Sequence, residues 1–263
     1  SLKTVDVYVG IAKQYDDFKY RSATGFITVP AGIKITFGVA PGNSSSVADV
    51  IKNISATLGN GKTYYAILQG VSDASKYAPN PDGKSTDLQL MLIEGGHDVA
   101  TNSGKVDLRF FQGLTDAPTV NVRINTTPTP TLVNPAISYG DTTENVTTLS
   151  PARYQVDVLN KGKDTVYVSF DMDVSNEKDT GMLIISSGFV KPSLNNSGSP
   201  IALLGVLPTG RVIEFPMLKD AYLQIIHDAS DTMLGYVDVY LNGNLIGQGF
   251  GYEEAMPYMK VPA

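Results

Sequence analysis

The sequence predicts an all-β protein built from repeated antiparallel β-sandwich domains. Short runs rich in Val, Ile, Thr and Tyr alternate apolar with polar residues, which is typical of half-buried strands. Turn-forming residues separate these runs at intervals of about 8–12 residues, the spacing of a sandwich rather than of βαβ units. One strand motif also recurs along the chain, and 263 residues suffice for two domains of ordinary size.

The recurring motif reads TVDVYV at residues 4–9, TVNVRI at residues 119–124 and YVDVYL at residues 236–241. A similar lead segment precedes the second and third copies, at residues 106–113 and 221–228, but not the first. Each lead segment reads as a strand followed by a turn. We therefore predict that the chain contains more than one copy of a single domain.

The predicted organisation is a first sandwich repeat at residues 1–105 without its lead strand, a second at 106–220, and a partial third at 221–263. Residues 33–39 and 154–159 alternate apolar and polar positions and predict matching strands in the first two repeats. Residues 63–70 and 165–170 each follow a Gly-Lys turn, which predicts a second matching pair. Only residues 46–51 are compatible with a helix, and we expect a loop or a single turn there.

Composition excludes several classes of function. A net charge of −6 without a basic cluster argues against a nucleic-acid partner. The chain has no cysteine, so it has neither disulfides nor a thiolate metal site. No apolar run reaches the roughly 20 residues of a membrane span, and the first ten residues lack the features of a signal peptide. We expect a mature or trimmed product without a membrane span in this chain.

Several short motifs resemble the domain of unknown function 4397 family. They are Val29-Pro30-Ala31-Gly32, the segment Gly61-Lys62-Thr63-Tyr64-Tyr65, Asp116-Ala117-Pro118, and the His227-Asp228-Ala229-Ser230-Asp231 lead into Val237-Asp238-Val239-Tyr240. The resemblance implies tandem Ig-like or transthyretin-like β-sandwich domains outside the cytoplasm, and it implies no known chemistry.

Catalytic and metal-binding residues are scarce. The two histidines, His97 and His227, have no partner at the spacing of a triad or a metal site, and we expect His227 to bond a turn backbone. No nucleophile elbow or phosphate-binding loop is present. Residues 171–179 begin like a calcium loop, but Asn176 stands where the sharp turn needs glycine. Residues 80–87 are rich in oxygen but read as a turn. We predict no catalytic residue, no metal and no cofactor, and hence not an enzyme.

Surface chemistry offers other candidates. Five Asn-x-Ser/Thr sequons, at Asn43, Asn53, Asn125, Asn145 and Asn195, are possible glycosylation sites. Tyrosine is abundant and could form a carbohydrate-binding face or line a protein interface. The tyrosines in question are Tyr15, Tyr20, Tyr64, Tyr65, Tyr252 and Tyr258.

The uneven repeat boundary carries a hypothesis about assembly. A sandwich without one strand exposes a sheet edge, which the last segment of another molecule can complete head to tail. The alternative is that the chain is trimmed from a longer repeat protein. We predict a non-catalytic structural or adhesive protein, extracellular or at the cell surface and anchored through lipid or wall by a part outside this chain. Its partner is a protein or glycan, with self-association included. The alternative function is carbohydrate binding.

Overall fold

In the computed structural model, the described residues are 4–126, 130–161, 165–219 and 221–261. They form strands and short 3-10 turns, which confirms the predicted all-β class. The chain divides into two compact units, Ser1–Met217 and Leu218–Ala263. No helix among the described residues has the length and apolar character needed to cross a membrane.

Sixteen of the described strands begin in the first unit. They are β1 (Thr4–Val9), β2 (Ala12–Lys19), β3 (Lys34–Pro41), β4 (Lys52–Thr57), β5 (Tyr64–Gln69), β6 (Gln89–Glu94), β7 (Val106–Gln112), β8 (Val120–Asn125), β9 (Thr131–Ile137), β10 (Thr147–Leu149), β11 (Arg153–Asn160), β12 (Val166–Asp173), β13 (Thr180–Ser187), β14 (Ala202–Val206), β15 (Val212–Phe215) and β16 (Met217–Leu218). The second unit contains β17 (Ala221–Leu223), β18 (Tyr236–Leu241), β19 (Asn244–Gly251) and β20 (Met259–Val261).

A complete sandwich occupies the stretch from β7 to β16. One sheet has the order β10-β7-β13-β14-β15 and the other β16-β12-β11-β8-β9. The two apolar faces enclose one core, to which β7 contributes three consecutive inward residues. These are Val106, Leu108 and Phe110. β7 runs parallel to β13 from Val106↔Thr180 to Gln112↔Ser186, so it joins β10 to the rest of its sheet.

The stretch from β1 to β6 is less complete. Its sheets are the four-stranded β2-β1-β3-β4 and the two-stranded β5-β6. The buried cluster between them contains Ile35, Phe37 and Leu58, with partly buried neighbours such as Leu90 and Leu92. The predicted helical turn is a 3-10 turn at Val47–Asp49, where Ser46 and Asp49 form a capping box.

The same bulged hairpin occurs three times, as β1-β2, β8-β9 and β18-β19. In each, the pairing shifts by one residue at two successive places along the ladder. The carboxylates of Asp6 and Asp238 hold the bulge, because they accept the backbone N–H of Asp17 at 2.9 Å and of Gly249 at 2.8 Å. Asn121 takes the corresponding position in β8. The repeat found in the sequence is therefore also a repeat in backbone geometry.

β5 and β6 correspond to β13 and β14. Gly70 and Gly188 directly follow the first strand of each pair, with φ of +95° and +98°, and a parallel bridge follows each glycine one residue later. This corrects one detail of the sequence interpretation, which matched residues 63–70 with residues 165–170. Residues 166–170 lie in β12, which pairs with β11 as β4 pairs with β3. The similar Gly-Lys turns misled the comparison, and the second of them, Gly162-Lys163, lies outside the described residues.

Polar contacts join the two halves of the first unit. Asn80 is buried in the predicted Pro-Asp-Gly turn and donates to the carbonyls of Thr115 and Ala117. Asp82 accepts both the N–H and the hydroxyl of Thr119 at 2.6 Å. These bonds attach a loop of the first module to the β7–β8 connection. The predicted divisions after residues 105 and 220 stay predictions.

Candidate interaction surface

The most unusual feature of the first unit is the outer edge of β5. In the complete sandwich, the corresponding strand β13 lies between β14 and the lead strand β7. β5 pairs with β6, and no described strand pairs with its other edge. In the complete sandwich, the carbonyl of Ser186 accepts the Gly113 N–H, so the backbone groups of Ser186 point toward β7. Leu68 is the counterpart of Ser186 in β5, and its backbone groups therefore point toward the edge that no described strand pairs with.

The incomplete sheet leaves apolar surface exposed. Ile184 of β13 is fully buried, whereas its counterpart Ala66 in β5 is exposed. Residues 27–29, which precede β3 as β10 precedes β11, form no strand, and Ile27 is 43% exposed. The side chain of Val29 still packs against the cluster of Ile35 and Phe37. Among its described strands, the first module therefore has no counterpart of the core side chains that β7 supplies to the second sandwich.

Aromatic side chains flank this edge. The ring of Phe26 lies 5.6 Å from that of Tyr65, centre to centre. The Tyr65 hydroxyl accepts the backbone N–H of His97 at 3.1 Å, and burial raises the pKa of Tyr65. Tyr64, on the opposite face of β5, packs on the core and hydrogen-bonds Gly59 and Glu94. Both predicted tyrosines of this pair thus serve packing at the β5 edge.

The second unit also presents unpaired surface. In the first module, β1 lies between β2 and β3, and Tyr8 is only 2% exposed with its hydroxyl against Ser44. In β18 the corresponding residue, Tyr240, is 60% exposed, and Tyr236 on the same face is 79% exposed. β18 pairs with β19 and with no other described strand. The strand face that carries Tyr8 is therefore buried in the first module, whereas the corresponding face of β18 is exposed in the second unit.

One shallow cleft lies where the two halves of the first unit meet. It has a volume of about 390 Å³ and is lined by Glu94, Gly95, His97, Arg109, Glu144, Asn145 and Val146. The Arg109 guanidinium is already engaged, because it donates to the carbonyls of Glu94, Gly95 and Thr143 and to the Thr142 hydroxyl. Arg109 therefore connects the two halves of the first unit through these hydrogen bonds, and its guanidinium is not free to bind a ligand in the cleft.

The residues that were weighed as a catalytic base or as calcium ligands make contacts within the fold instead. His227 is buried, and its ring bonds the Leu234 carbonyl at 2.6 Å and the Ala229 N–H at 3.3 Å, as expected for a turn-binding histidine. In the calcium-like loop, Asp171 pairs with Arg153 and Asp173 caps Ser175. Among the described residues, no three His, Asp or Glu side chains are grouped so that they could hold a metal ion.

The five sequons differ in accessibility. Asn43, Asn53 and Asn145 are exposed. Asn125 is half-buried, and its amide donates to Asp157 at 2.9 Å. Asn195 is fully buried, and its side chain bonds Asp116, Lys191 and Ala78. A glycan on Asn195 would require breaking these bonds, so its sequon is geometrically the least suitable. Their use stays a prediction.

Sequence reasoning missed a buried carboxylate on the outer face of β11, the middle strand of its sheet. Asp157 in β11 is 1% exposed and accepts five hydrogen bonds from four side chains. The donors are Arg123, Asn125, Gln155 and Ser169. Burial opposes ionisation, but the bonds from these donors outweigh it and hold the pKa of Asp157 below its usual value. The alternation of residues 154–159 predicted that Asp157 lies on the outer face of its strand. It does lie there, but the side chains that hydrogen-bond to it cover it from solvent.

Comparison with known proteins now adds to these observations. Residues 1–123 match the family model described as domain of unknown function (DUF4397). The match spans β1 to β7 and most of β8, and it confirms the resemblance seen in the sequence motifs. That the rest of the chain carries further DUF4397 copies stays a prediction. A comparison with curated proteins finds no match.

Proposed function

We propose that this DUF4397 protein is a non-catalytic structural or adhesive protein that acts outside the cytoplasm or at the cell surface. Its sandwich surfaces and unpaired sheet edges would make the contacts with a protein or glycan partner. The observation that carries the proposal is the exposure of surface that the fold elsewhere buries. Tyr240 is exposed at the position where Tyr8 is buried, and β5 lacks the neighbour that β13 has.

This exposure favours a role in binding because apolar and aromatic surface is costly to leave in water. Exposed patches of this kind mark interaction sites in soluble proteins. Tyrosine suits such a site, since it supplies a large rigid face and a hydroxyl at a small entropic cost. In the second unit, Tyr236 and Tyr240 lie on one face of β18, separated by about 13 Å of strand.

The same pair of tyrosines supports the alternative, a carbohydrate-binding module. Aromatic rings present flat apolar faces on which sugar rings can stack, and an exposed strand keeps both rings accessible. The two functions differ in what binds, so the same variant tests both. Tyr236→Ser combined with Tyr240→Ser removes both rings, and Tyr167→Ser removes a 49% exposed tyrosine on β12 as the matched control.

Two measurements test the proposal. Antibody against the full chain should label intact producing cells or their medium, and labelling that needs permeabilisation would contradict the location. Beads coated with the full chain should attach to the producing cells, with attachment reduced at least fivefold by the double tyrosine variant and unchanged by Tyr167→Ser. Glycan-array binding with the same dependence supports the carbohydrate alternative. Absence of both attachment and glycan binding contradicts the function.

A further inference from the structure

We propose that Asn60 is a site of spontaneous covalent modification, where the side-chain amide is lost through attack by the backbone nitrogen of Gly61. The chain contains two Asn-Gly pairs, Asn60-Gly61 and Asn242-Gly243, and all four residues are exposed. The sequence by itself gives both pairs the same reactivity. The turns that hold them differ in geometry, and the first turn suits the reaction better. The proposal concerns the chemistry of the chain and is independent of its partner.

The reaction is an internal substitution at the side-chain carbonyl carbon of asparagine. The backbone nitrogen of the next residue bonds to Cγ and gives up its proton, the Cγ–Nδ2 bond breaks, and ammonia leaves a five-membered succinimide ring. Water then adds to one of the two ring carbonyls and opens the ring to aspartate or iso-aspartate. The net change is therefore one water gained and one ammonia lost. A following glycine favours the attack, because it has no Cβ to hinder the approach.

The second pair lies in a tight hairpin turn. Asn242 and Gly243 have φ of +51° and +82°, as the two central residues of a type I′ turn do. The pair Leu241↔Asn244 closes the ladder directly beside them. The attack requires rotation about the Asn242 Cα–C bond, so that the glycine nitrogen comes over Cγ. This rotation would move Gly243 out of the turn, and it therefore requires the end of the hairpin to open.

The first pair lies in a longer connection with more freedom. Residues 58–63 join β4 to β5, and none of them belongs to a strand. Asn60 lies between two glycines, Gly59 and Gly61, and glycine is the residue with the greatest backbone freedom. The Lys62 N–H closes the turn on the Gly59 carbonyl at 3.3 Å, which is a long hydrogen bond. Rotation at Asn60 therefore breaks one weak bond and no ladder pair.

The turn is an anchoring point of the first module. Leu58 is 5% exposed and belongs to the small buried cluster, and its carbonyl accepts the Gly32 N–H at 3.0 Å. The Gly59 N–H donates to the Tyr64 hydroxyl at 3.0 Å, and this hydroxyl donates to Glu94. Iso-aspartate carries the main chain through its side chain and lengthens the turn by one atom. We expect this change to displace the Gly59 N–H and to loosen the packing of Leu58.

Both products also add a negative charge beside an existing ion pair. Lys62 Nζ lies 3.1 Å from Glu94 Oε1, and both side chains are more than half exposed. A carboxylate at position 60 competes with Glu94 for Lys62, but exposed pairs contribute little to stability. The longer backbone of iso-aspartate is therefore the larger perturbation. The substitution Asn60→Asp supplies the charge without the longer backbone, so it separates the two effects.

Peptide mass spectrometry of the full chain tests the site. The folded protein is incubated at about 37 °C and pH 8 and digested at intervals, and conversion is read as a mass gain of about 1 Da. We expect Asn60 to convert at least roughly fivefold faster than Asn242 in the folded chain. In about 8 M urea, where neither turn persists, the two rates should agree within about twofold. Equal rates in the folded chain, faster conversion at Asn242, or a difference that persists in urea would overturn the proposal.

Glutamine variants test the consequence for the first module. Asn60→Gln keeps an amide but requires a six-membered ring, which closes more slowly, and Asn242→Gln is the matched control. After the incubation, amide protons of β4 and β5 in the unsubstituted chain should exchange at least about threefold faster than before. Asn60→Gln should abolish this increase, and Asn242→Gln should leave it. No increase in the unsubstituted chain, or one that survives in Asn60→Gln, would contradict the link between this site and the first module.

Discussion

Replacement of Asp157 by asparagine is the sharpest test of what stabilises the second sandwich. The change preserves shape and removes one negative charge. All the groups that reach the two carboxylate oxygens are donors: Arg123 and Asn125 on one, Gln155 and Ser169 on the other. An amide NH₂ in the place of the first oxygen would face the Arg123 guanidinium, which only donates. In the place of the second oxygen it would donate to the Ser169 hydroxyl, which can also accept, so the side chain adopts this orientation and the loss is that of the negative charge facing Arg123.

The expected loss follows from this geometry. A hydrogen bond to a charged group contributes about 1.5–3 kcal/mol and one between neutral groups about 0.5–1.5 kcal/mol, and two bonds from Arg123 lose their charged acceptor. Arg123 keeps part of its hydration because its side chain is 28% exposed, which lowers the total. We expect Asp157→Asn to reduce the free energy of unfolding by roughly 2–4 kcal/mol at pH 7, measured by urea denaturation followed by circular dichroism.

Asp171→Asn is the matched control. It also breaks a cross-strand Arg–Asp pair in the same sheet, but its partner Arg153 is 70% exposed. Exposed pairs of this kind contribute little, because water competes for both partners. Asp171→Asn should therefore cost only a small fraction of the loss at Asp157. Equal losses at the two sites would refute the reasoning, since burial would then have no bearing on the contribution of the pair.

Four further predictions follow from the same contacts. Asp82, Asp107 and Asp157 have lowered pKa values in the folded protein. The stability that they contribute is therefore present above about pH 4 and is lost as the pH falls further. The urea concentration at half-unfolding should decrease in that range, and it should decrease less for Asp157→Asn. Phe170→Ala, at a 1% exposed core position, should cost about 3–5 kcal/mol by the same assay. Gly188→Ala would place a Cβ 2.3 Å from the Pro200 carbonyl oxygen at φ +98° and should cost at least about 1–3 kcal/mol, whereas Gly10→Ala, with open space around it, should cost less. After secretion through a glycosylating host, peptide mass mapping should find glycans on Asn43, Asn53 or Asn145 and none on Asn195.

Periodicity and repetition were sufficient to predict the strands but not how they associate. Alternation placed strands at residues 33–39 and 154–159 because side chains of a half-buried strand point alternately inward and outward, and a preceding Gly-Lys turn placed one at residues 63–70. The order of strands within a sheet depends on contacts distant in sequence, which alternation does not encode. The parallel pairing of β7 with β13 is such a contact. For the same reason, the similar Gly-Lys turns led to a wrong match between β5 and β12.

The candidate surface could be anticipated only in outline. The lead segment missing from the first copy predicted an exposed edge, and among the described strands β5 has an unpaired edge where β13 has a neighbour. Without the register of β13 and β14, the sequence could not show that β5 is that strand. The exposed tyrosines were partly missed, because Tyr236 and Tyr240 share the motif of the buried Tyr8. The same local sequence has opposite burial because described strands flank β1 on both sides, whereas β18 has a described strand on one side only.

The uneven cores also determine where the first unit should open. Among the described residues, the buried cluster of the second sandwich has eighteen members and that of the first module three, so apolar burial stabilises the second sandwich more. The first module is held instead by polar bonds across the junction, among them Asn80 and Asp82 to the β7–β8 connection and Arg21 to the carbonyls of Ser187 and Pro200. Each such bond adds little to the free energy of unfolding, because it replaces a bond to water. Amide protons of β3 and β5 should therefore exchange with solvent faster than those of β11 and β13.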